Sequence, residues 1–468
     1  MSEKLMKYDV AIIGGGVAGI FAAIELTNLA PSTRIVLLEQ GNPIHKRSCP
    51  IVSKQTRQCV NCPTCAIMKG FGGAGAYSDG KFNFSTEYGG WLTDYLPPEK
   101  VMELIEYVDS INVKFGATEK TYSTSTPRAQ EIEKIALQND LHILHGSVKH
   151  LGTENNMVIL RKQYEYLNEL IDIKCNTAVS EIEATGKSFI LKTHDGLTVE
   201  CDYLISAPGR SGAEWFAGQC EKLNLKLINN QVDIGVRLEI PAVIFKHISD
   251  VVYEAKLVYR TKQYGDLVRT FCMNPNGYVV MENTDGIITV NGHSYADPKL
   301  KSENTNFALL VSNRFTKPFK EPYRYGKHIS SLSNMLGGGV IVQRFGDLIR
   351  GTRTNEHRLS QSFVRPTLDA TPGDLSLVLP KRHLDNIIEM IYALDKIAPG
   401  TANYDTLLYG VEVKFYSSRL ELTGDLETEY TNMFAIGDGA GITRGLSQAG
   451  ASGVHVARVI AGRINKYA

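Results

Sequence analysis

The residues best suited to chemistry near the start of the chain are three glycines and one acid. Gly14, Gly16 and Gly19 form a G-x-G-x-x-G motif, and Glu39 follows about twenty residues later. The first glycine permits a tight turn, the second lets the backbone approach a phosphate, and the third lets a helix pack close to a strand. A helix N-terminus offers free N–H groups to an anion, and the acid can accept ribose hydroxyls. This set predicts a dinucleotide site.

The elements around these residues are the ones that such a site needs. An apolar run at residues 8–13 predicts a buried strand, and apolar spacing from Ile20 to Leu29 predicts a helix. A second apolar run at residues 34–38 predicts the next strand, which ends at Glu39. The motif alone is weak evidence, but here it lies inside a complete βαβ pattern.

Four cysteines form the second group with chemical potential. Cys59, Cys62 and Cys65 have two-residue spacing, and Cys49 lies upstream. Four thiolates could hold zinc in a tetrahedral site or an iron–sulfur cluster. Two other interpretations stay open at this point: a redox-active dithiol that exchanges with a disulfide, and four unligated thiols.

Several further side chains are candidates for proton transfer or anion binding. We predict His293 and Tyr295 as catalytic residues, because a loop His or Tyr can move protons, although His293 could equally be a satisfied turn residue. Lys81 and Arg444 lie in glycine-rich segments and could balance an anionic cofactor or substrate, or simply be solvated. A basic set could form an anion- or RNA-binding face or a solvated one: Arg344, Arg350, Arg353, His357, Arg358 and Arg365.

Glycine-rich turns recur after the first βαβ pattern. The segment 70–83 contains five glycines in its first eleven residues and is interleaved with aromatics, so we predict a ligand-facing loop and not a linker. Apolar strands are predicted to end at residues 207 and 436, each before another glycine turn, and a helix is predicted over residues 445–461. Between residues 213 and 405, short alternating segments predict a largely antiparallel sheet with helices near 304–314 and 383–393.

Composition restricts the class of protein. The chain has 468 residues, 43% hydrophobic and 21% charged, with 50 basic and 50 acidic side chains. Zero net charge gives no overall field for nucleic acid or an anionic membrane, so we expect neither as a partner, although a local basic patch is compatible with this composition. No segment reaches the ~18 consecutive apolar residues of a membrane span, and we expect no signal peptide. Eight cysteines without a secretion signal are typical of a protein in a reducing cytoplasm, which is the location that we expect.

With these motifs together, the chain resembles the bacterial FAD-dependent dehydrogenases, or NAD(P)/FAD-dependent oxidoreductases, of the glutathione-reductase-like FAD-binding class. The resemblance rests on the motifs above and on further segments that are similar to that family: Asp233–Arg237, Asn291–Tyr295, Gln343–Asp347 and Leu379–His383. It implies an α/β fold in which a discontinuous Rossmann-like FAD-binding domain, residues 1–212 and 406–468, carries an inserted, largely antiparallel α+β substrate domain at 213–405.

The resemblance also implies a function. It implies an FAD-dependent oxidoreductase, a dehydrogenase or C=C reductase, that transfers hydride or electrons to or from a small molecule, with NAD(P)H as a candidate electron donor. Alternatives are a flavoprotein that modifies RNA and a non-catalytic flavin-dependent sensor. The cofactor-binding residues that we predict are Gly14, Gly16, Val17, Ala18, Gly19, Glu39, Gln40, Gly73, Ala74, Gly75, Ser78, Lys81, Ala207, Pro208, Gly209, Gly437, Asp438, Arg444, Gly445 and Leu446. Zinc or an iron–sulfur cluster at Cys49, Cys59, Cys62 and Cys65 is a further expectation.

Overall fold

The structure, a computed structural model, describes residues 4–53, 55–56, 59–60, 62–186, 188–228, 231–284, 286–313, 322–415 and 419–467. The strands in this part of the chain are β1 Lys4–Ile13, β2 Ile35–Glu39, β3 Lys81–Phe84, β4 Tyr122–Ser123, β5 Leu141–Ile143, β6 Ser147–His150, β7 Asp172–Cys175, β8 Val179–Ala184, β9 Phe189–Thr193, β10 Leu197–Ser206, β11 Leu227–Ile228, β12 Val232–Pro241, β13 Leu257–Arg260, β14 Leu267–Asn274, β15 Tyr278–Thr284, β16 Ile287–His293, β17 Asn304–Asn313, β18 Ile341–Arg344, β19 Thr371–Pro372, β20 Leu407–Phe415, β21 Arg419–Leu420 and β22 Met433–Ala435. The α-helices are α1 Val17–Leu29, α2 Pro98–Lys114, α3 Pro127–Leu137, α4 Thr153–Asn168, α5 Ala213–Lys222, α6 Ala242–Val252, α7 Pro322–Gly337, α8 Phe345–Ile349, α9 Glu356–Ser360, α10 Lys381–Ile397 and α11 Leu446–Tyr467.

The chain divides into two compact units. The first unit contains Met1–Glu119, Lys149–Asn230 and Tyr416–Ala468, and the second contains Lys120–Val148 and Gln231–Phe415. These limits differ from the boundaries at 212 and 405 that the sequence suggests, and the sequence does not suggest that residues 120–148 belong to the second unit. They do so because β5 pairs antiparallel with β13, which places Leu141 opposite Tyr259.

The first unit is built on a sheet with a parallel core. β1 pairs in parallel with β2 and with β10, β2 pairs in parallel with β7, and β10 pairs in parallel with β22. The antiparallel strands β9 and β8 extend from the first half of β10. Because β1, β2, β10 and β22 run in the same direction, their carboxyl ends meet at one edge of the sheet. Open α/β sheets bind ligands at such an edge.

Two helices of the first unit pack closely because glycine replaces a side chain at their contact. A Cβ atom on Gly453 in α11 would lie 2.2 Å from the carbonyl oxygen of Ala18 in α1. A Cβ on Gly450 would lie 3.2 Å from the ring of Phe21 in α1. The C-terminal helix is therefore held directly against the helix that follows the glycine motif.

The second unit contains an eight-stranded sheet in the order β19–β18–β20–β12–β17–β14–β13–β5. All neighbours in this sheet are antiparallel except β18 and β19. One face carries Ile234, Val236 and Leu238 of β12, which belong to a buried apolar core together with residues of α6 and α10. A separate hairpin is formed by β15 and β16.

The prediction of a helix near residues 304–314 is wrong, because this segment forms strand β17. β17 lies between β12 and β14 in the middle of the sheet, and its first eight residues are all buried. A strand that is buried on both faces shows a continuous apolar run without alternation, which is difficult to distinguish from a buried helix by periodicity. The predicted helix near 383–393 is present as α10.

Candidate functional site

The first glycine of the motif forms a turn that no other residue could adopt without strain. Gly14 follows β1 with φ of +102°, and a Cβ atom there would lie 2.1 Å from the carbonyl oxygen of Ala207. Its N–H donates to the carbonyl of Leu38 at 2.8 Å. Gly14 thus joins the ends of β1, β2 and β10 at one point.

The other two glycines differ in what surrounds them. A Cβ on Gly19 would lie 2.1 Å from the carbonyl oxygen of Gly14, so this glycine lets α1 approach the turn. Gly16 has no other atom within 4 Å of its Cβ position. It is the N-cap of α1, no side chain caps that end, and the first turn carries no acid. The N-terminus of α1 therefore offers N–H groups and positive potential beside open space, as an anion site requires.

Glu39 has a role that sequence reasoning missed. Its Oε2 atom accepts from the N–H of Gly15 at 2.8 Å, and its Oε1 atom accepts from Gly41 and Gly70, both at 2.9 Å. The buried carboxylate thus ties the glycine turn to the loop that begins at residue 70. Each oxygen has two lone pairs, so the ribose contact stays a prediction that Oε2 could still make. Gln40 is half-buried next to it.

The glycine-rich segment 70–83 is only partly a loop, since it contains a 3₁₀ turn at Gly73–Tyr77 and the start of β3. The N–H of Gly72 donates to the carbonyl of Gly15 at 2.7 Å. A Cβ on Gly73 would lie 3.2 Å from the Cα of Gly16, and one on Gly75 would lie 3.0 Å from the Leu446 side chain. The structure thus brings three predicted cofactor residues, Gly73, Gly75 and Leu446, towards the glycine motif.

Two buried side chains outside the predicted set hold this segment in place. The Arg47 guanidinium donates to five carbonyl oxygens, those of Ala66, Ile67, Gly70, Phe71 and Gly73. Asn156 of α4 donates to the carbonyl of Gly75 at 2.7 Å and lies within hydrogen-bond distance of the Ser78 carbonyl. A planar guanidinium with five N–H donors is suited to such a cradle of carbonyls.

Lys81 is buried and belongs to an ionic group within the first unit. Its Nζ atom lies 3.0 Å from Oδ2 of Asp79, and the Nε2 atom of His150 lies 3.6 Å from the same oxygen. The solvated surface role that the sequence left open for Lys81 is therefore wrong. Its charge lies within the predicted ligand-facing segment 70–83.

The turns after β10 and β22 pack against each other and against α1. Gly437 has φ of +72°, and its Cβ would lie 2.9 Å from that of Ala18. A Cβ on Gly439 would lie 2.6 Å from the ring of Pro208 and 2.7 Å from the nitrogen of Gly209. The structure therefore brings both predicted strand ends to the glycine motif.

Asp438 and Arg444 lie in the segment that joins β22 to α11. Thr443 donates to Oδ1 of Asp438 at 2.7 Å, and Arg210 lies 3.9 Å from Oδ2. Burial raises the pKa of Asp438, while Arg210, Thr443 and Arg444 act in the opposite direction. The Arg444 guanidinium stacks on the ring of Trp91, with its Cζ 3.5 Å from the ring centroid. Trp91 carries no motif in the sequence and was missed.

The first turn of α11 adds a hydroxyl that fits a polar cofactor. Ser447 is buried, and within the described residues its Oγ atom has no hydrogen-bond partner. The same holds for Ser206, at the carboxyl end of β10. Buried hydroxyls without partners are uncommon in native proteins and call for a ligand or water. Together with the open space at Gly16, they fit a dinucleotide cofactor such as FAD.

The four cysteines at residues 49–65 do not converge. In the part of the chain that the structure describes, no group of three or more His, Cys, Asp or Glu side chains is arranged to hold a metal ion. Cys49, Cys62 and Cys65 are free thiols, and Cys59 is half-buried. The adjoining segment is organised by Arg47 and backbone carbonyls, so its shape does not depend on thiolate–metal bonds. The zinc and iron–sulfur predictions find no support.

In the second unit, the two predicted catalytic residues form an aromatic cluster. The rings of His293 and Tyr295 have centroids 4.9 Å apart in an edge-to-face arrangement. Tyr278, on the opposite strand of the β15–β16 hairpin, adds a third ring at 6.0 Å from each of them. All three are half-buried. The structure thus brings the two side chains together and adds Tyr278 to their cluster, and the catalytic role of His293 and Tyr295 stays a prediction.

A fully buried arginine anchors this hairpin to the sheet. Arg237 forms a bidentate ion pair with Glu412, with N–O distances of 2.8 and 2.9 Å. It also donates to Asn306 at 2.8 Å and to Asn291 of β16 at 3.1 Å. A Cβ on Gly292 would lie 2.6 Å from Nη1 of Arg237, so only glycine fits there. This network positions the residue that precedes His293.

Four of the six residues in the predicted basic set contact neighbouring groups through their side chains, among them Arg365, which donates to the carbonyl of Ser360 at 2.8 Å. Arg344 pairs with Asp347 at 3.1 Å and with Asp405 at 3.0 Å. Arg358 donates to the carbonyl of Arg353 at 2.7 Å, and Arg350 stacks on Tyr404. These contacts give the arginines a structural role, and they weaken the case for an RNA-binding face.

The match to a known protein family lies within the second unit. Residues 233–415 match a family model described as FAD-dependent protein, C-terminal domain-like. No curated protein was found to match the sequence. None of the described helices is long and apolar enough to cross a membrane.

Solved structures that the chain resembles share little sequence with it. They include CtdE in complex with FAD, with 11% identity and a TM-score of 0.37 over 97% of this chain and 84% of that one. Glycine oxidase from Bacillus cereus has 13% identity and a TM-score of 0.38, over 97% and 95%. A flavoprotein/dehydrogenase from Cytophaga hutchinsonii has 13% identity and a TM-score of 0.41, over 98% and 79%.

Proposed function

We propose that the protein is an FAD-dependent oxidoreductase that acts on a small molecule. One observation carries the proposal: the carboxyl ends of β1, β2, β10 and β22 meet around Gly14, beside an uncapped helix N-terminus with open space at Gly16. The match of residues 233–415 to a family of FAD-dependent proteins supports FAD over other dinucleotides. In this proposal the first unit is the Rossmann-like FAD domain, interrupted in sequence by the substrate domain.

The residues that would hold FAD follow from this geometry. The N–H groups of the first turn of α1 would bind the pyrophosphate, and Glu39 would accept from the adenosine ribose. Asp438, Ser447 and the first turn of α11 would contact the remaining polar part of the cofactor. When bound, FAD supplies the hydride or electron transfer.

The chain's own residues would bind substrate and move protons. His293 is half-buried next to the hydroxyl-bearing Tyr295 and Tyr278, so an imidazole and two phenols are available within one cluster. An imidazole can accept or donate a proton, and a phenol can donate one. We propose a dehydrogenase or C=C reductase activity, in which this cluster transfers the proton.

The test is spectroscopy of the purified protein with and without added FAD. We expect bound flavin absorption after gel filtration, bleached under anaerobic conditions by NADH, NADPH or dithionite. A protein that holds no flavin after incubation with excess FAD would refute the proposal. A protein that holds FAD without any reductant bleaching it would contradict the oxidoreductase part and leave a binding role.

A further inference from the structure

Asp79 and Lys81 of the first unit form an ion pair that is shielded from solvent. The Nζ atom of Lys81 lies 3.0 Å from Oδ2 of Asp79, and the two side chains are 7% and 5% exposed. The Nε2 atom of His150 lies 3.6 Å from the same carboxylate oxygen. Charges at the surface are screened by water and salt, whereas buried charges are screened much less. Each of these charges therefore acts more strongly on a neighbouring group than a surface charge would.

The backbone between the two side chains is fixed by glycine and by hydrogen bonds. Gly80 has φ of +62°, and a Cβ atom there would lie 2.9 Å from the Cβ of Leu151. The N–H of Leu151 donates to the carbonyl of Gly80 at 3.1 Å, and the N–H of Gly152 donates to the carbonyl of Asp79 at 2.9 Å. This turn therefore holds Asp79 and Lys81 in a defined place.

The segment that leads to the pair runs away from the predicted adenosine end of the cofactor. The N–H of Gly70 donates to Glu39, the predicted partner of the adenosine ribose. Gly73 then lies against the N-cap residue of α1, where we expect the pyrophosphate, and Gly75 lies against the first residue of α11. β3 begins at Lys81 and packs against α11. The pair thus lies beyond the pyrophosphate, on the side away from the adenosine.

Stability alone does not account for a buried ion pair at this place. Well-packed apolar side chains of similar volume often stabilise a fold as much as a buried ion pair does. Ionisable groups buried next to a ligand-facing segment are instead frequent at functional sites. The pair is therefore a candidate for a direct effect on the cofactor.

We propose that Lys81 and Asp79 set the reduction potential of the bound FAD, and that they act in opposite directions. A flavin that takes up two electrons and one proton gains one negative charge. The ammonium of Lys81 stabilises this charge and favours the reduced flavin, whereas the carboxylate of Asp79 disfavours it. The inference rests on the proposed function and deepens it, because the potential decides which electron donors and acceptors the enzyme can use.

The test is an anaerobic titration of the FAD-loaded, full-length protein with dithionite, with a reference dye of known potential. Lys81→Met should lower the ratio of reduced to oxidised flavin at a given potential at least tenfold, which is a shift of the midpoint potential by about −30 mV. Asp79→Asn should raise the same ratio at least tenfold, a shift of about +30 mV. A loss of local structure would not give shifts of opposite sign, so the signs separate a charge effect from a structural one.

Two further variants bound the effect. Lys81→Arg keeps the positive charge and should stay within about threefold of the wild type, or about 15 mV. The matched control is Lys100→Met, because Lys100 is 40% exposed and pairs with Glu103 at 2.8 Å in the same unit. This control should change the ratio less than about twofold, or about 9 mV, since exposed charges are screened.

The inference is overturned if the two main variants shift the potential in the same direction, or if both stay within about threefold of the wild type. It is also overturned if Lys81→Arg or Lys100→Met shifts the potential as far as Lys81→Met does. His150 stays beside Asp79 when Lys81 is replaced. If Lys81→Met nevertheless does not fold, the sign of the Asp79→Asn shift and the Lys81→Arg value still decide.

Flavin absorption of the same samples separates the two proposals. A wild-type protein that takes up no FAD would refute the proposed function, and this inference with it. Bound FAD whose potential does not respond to these substitutions would refute this inference alone.

Discussion

Substitutions at Gly14 and at Gly16 should have different effects, although both glycines belong to one motif. A substitution at Gly14 should lower the stability of the fold, and a charged substitution at Gly16 should weaken cofactor binding. An alanine at position 14 would have φ near +102° and a Cβ atom 2.1 Å from the Ala207 carbonyl oxygen. Backbone strain contributes about 1–3 kcal/mol and overpacking another 1–3 kcal/mol, so Gly14→Ala should lower the free energy of unfolding by about 2–6 kcal/mol. Gly16 has a negative φ and no atom within 4 Å, so Gly16→Ala should change stability by less than about 0.5 kcal/mol.

A charge at position 16 should instead act on the cofactor. Gly16→Glu would place a carboxylate at the N-terminus of α1, where a negative charge is compatible with the helix. A like charge within about 5 Å of the pyrophosphate costs about 3 kcal/mol at an effective dielectric constant of 20, which is roughly a 150-fold loss of FAD affinity. The fold should persist without the cofactor.

Urea unfolding of the FAD-free proteins measures the first effect, and FAD titration followed by flavin fluorescence measures the second. The matched control is Gly462→Glu, because Gly462 is exposed in α11 and also has no atom within 4 Å of its Cβ position. This variant should bind FAD normally. The reasoning is refuted if Gly16→Glu retains wild-type affinity, or if Gly16→Ala destabilises the protein as much as Gly14→Ala.

Three further outcomes are expected. Arg47→Lys should lower the free energy of unfolding in urea by about 2–3 kcal/mol and weaken FAD binding, because a lysine can donate to at most three of the five carbonyls. Unchanged FAD affinity would show that the contacts of Arg47 with these carbonyls do not shape the cofactor site. Arg237→Met should cost about 3–5 kcal/mol in the same assay by leaving Glu412 buried without its main partner, and a loss below 1 kcal/mol would show that the pair is dispensable. Burial lowers the pKa of His383 to about 4, so the unfolded protein binds a proton at a higher pH than the folded protein does. The free energy of unfolding should therefore fall as the pH drops from 6.5 towards 4, by up to about 3 kcal/mol relative to the His383→Leu variant. Parallel pH profiles of the two proteins would disprove this.

The sequence could predict the glycine turn because the chemistry there is local. The strand, the three glycines, the helix and Glu39 lie within about thirty residues, and the first and third glycines meet backbone constraints that the motif already encodes. Gly14 meets Ala207 and Gly19 meets Gly14, as a tight turn and a close helix require. The convergence of the remote turns followed from the repeated pattern of an apolar strand that ends at glycines.

The supporting side chains were not predictable in this way. Arg47 donates only to backbone carbonyls, which every residue carries, so no sequence pattern marks its partners. Asn156 does the same from a helix about eighty residues away. The cysteines show the reverse case, in which a regular sequence pattern predicts a site that the structure lacks. Their spacing predicts a metal site, but the described part of the chain contains no group of side chains arranged to hold a metal ion.

The charged residues of β12 in the second unit lie where the sequence pattern alone would not place them. Strand β12 alternates Asp233, Gly235, Arg237 and Glu239 with apolar residues, a pattern typical of a strand with one solvated face. The structure instead leaves Asp233, Arg237 and Glu239 with 0% exposure. Well-packed apolar residues would stabilise a buried face at least as well as ion pairs do, so stability does not explain this choice. The Arg237 side chain, which pairs with Glu412 and donates to Asn306 and Asn291, instead holds the β15–β16 hairpin on the sheet.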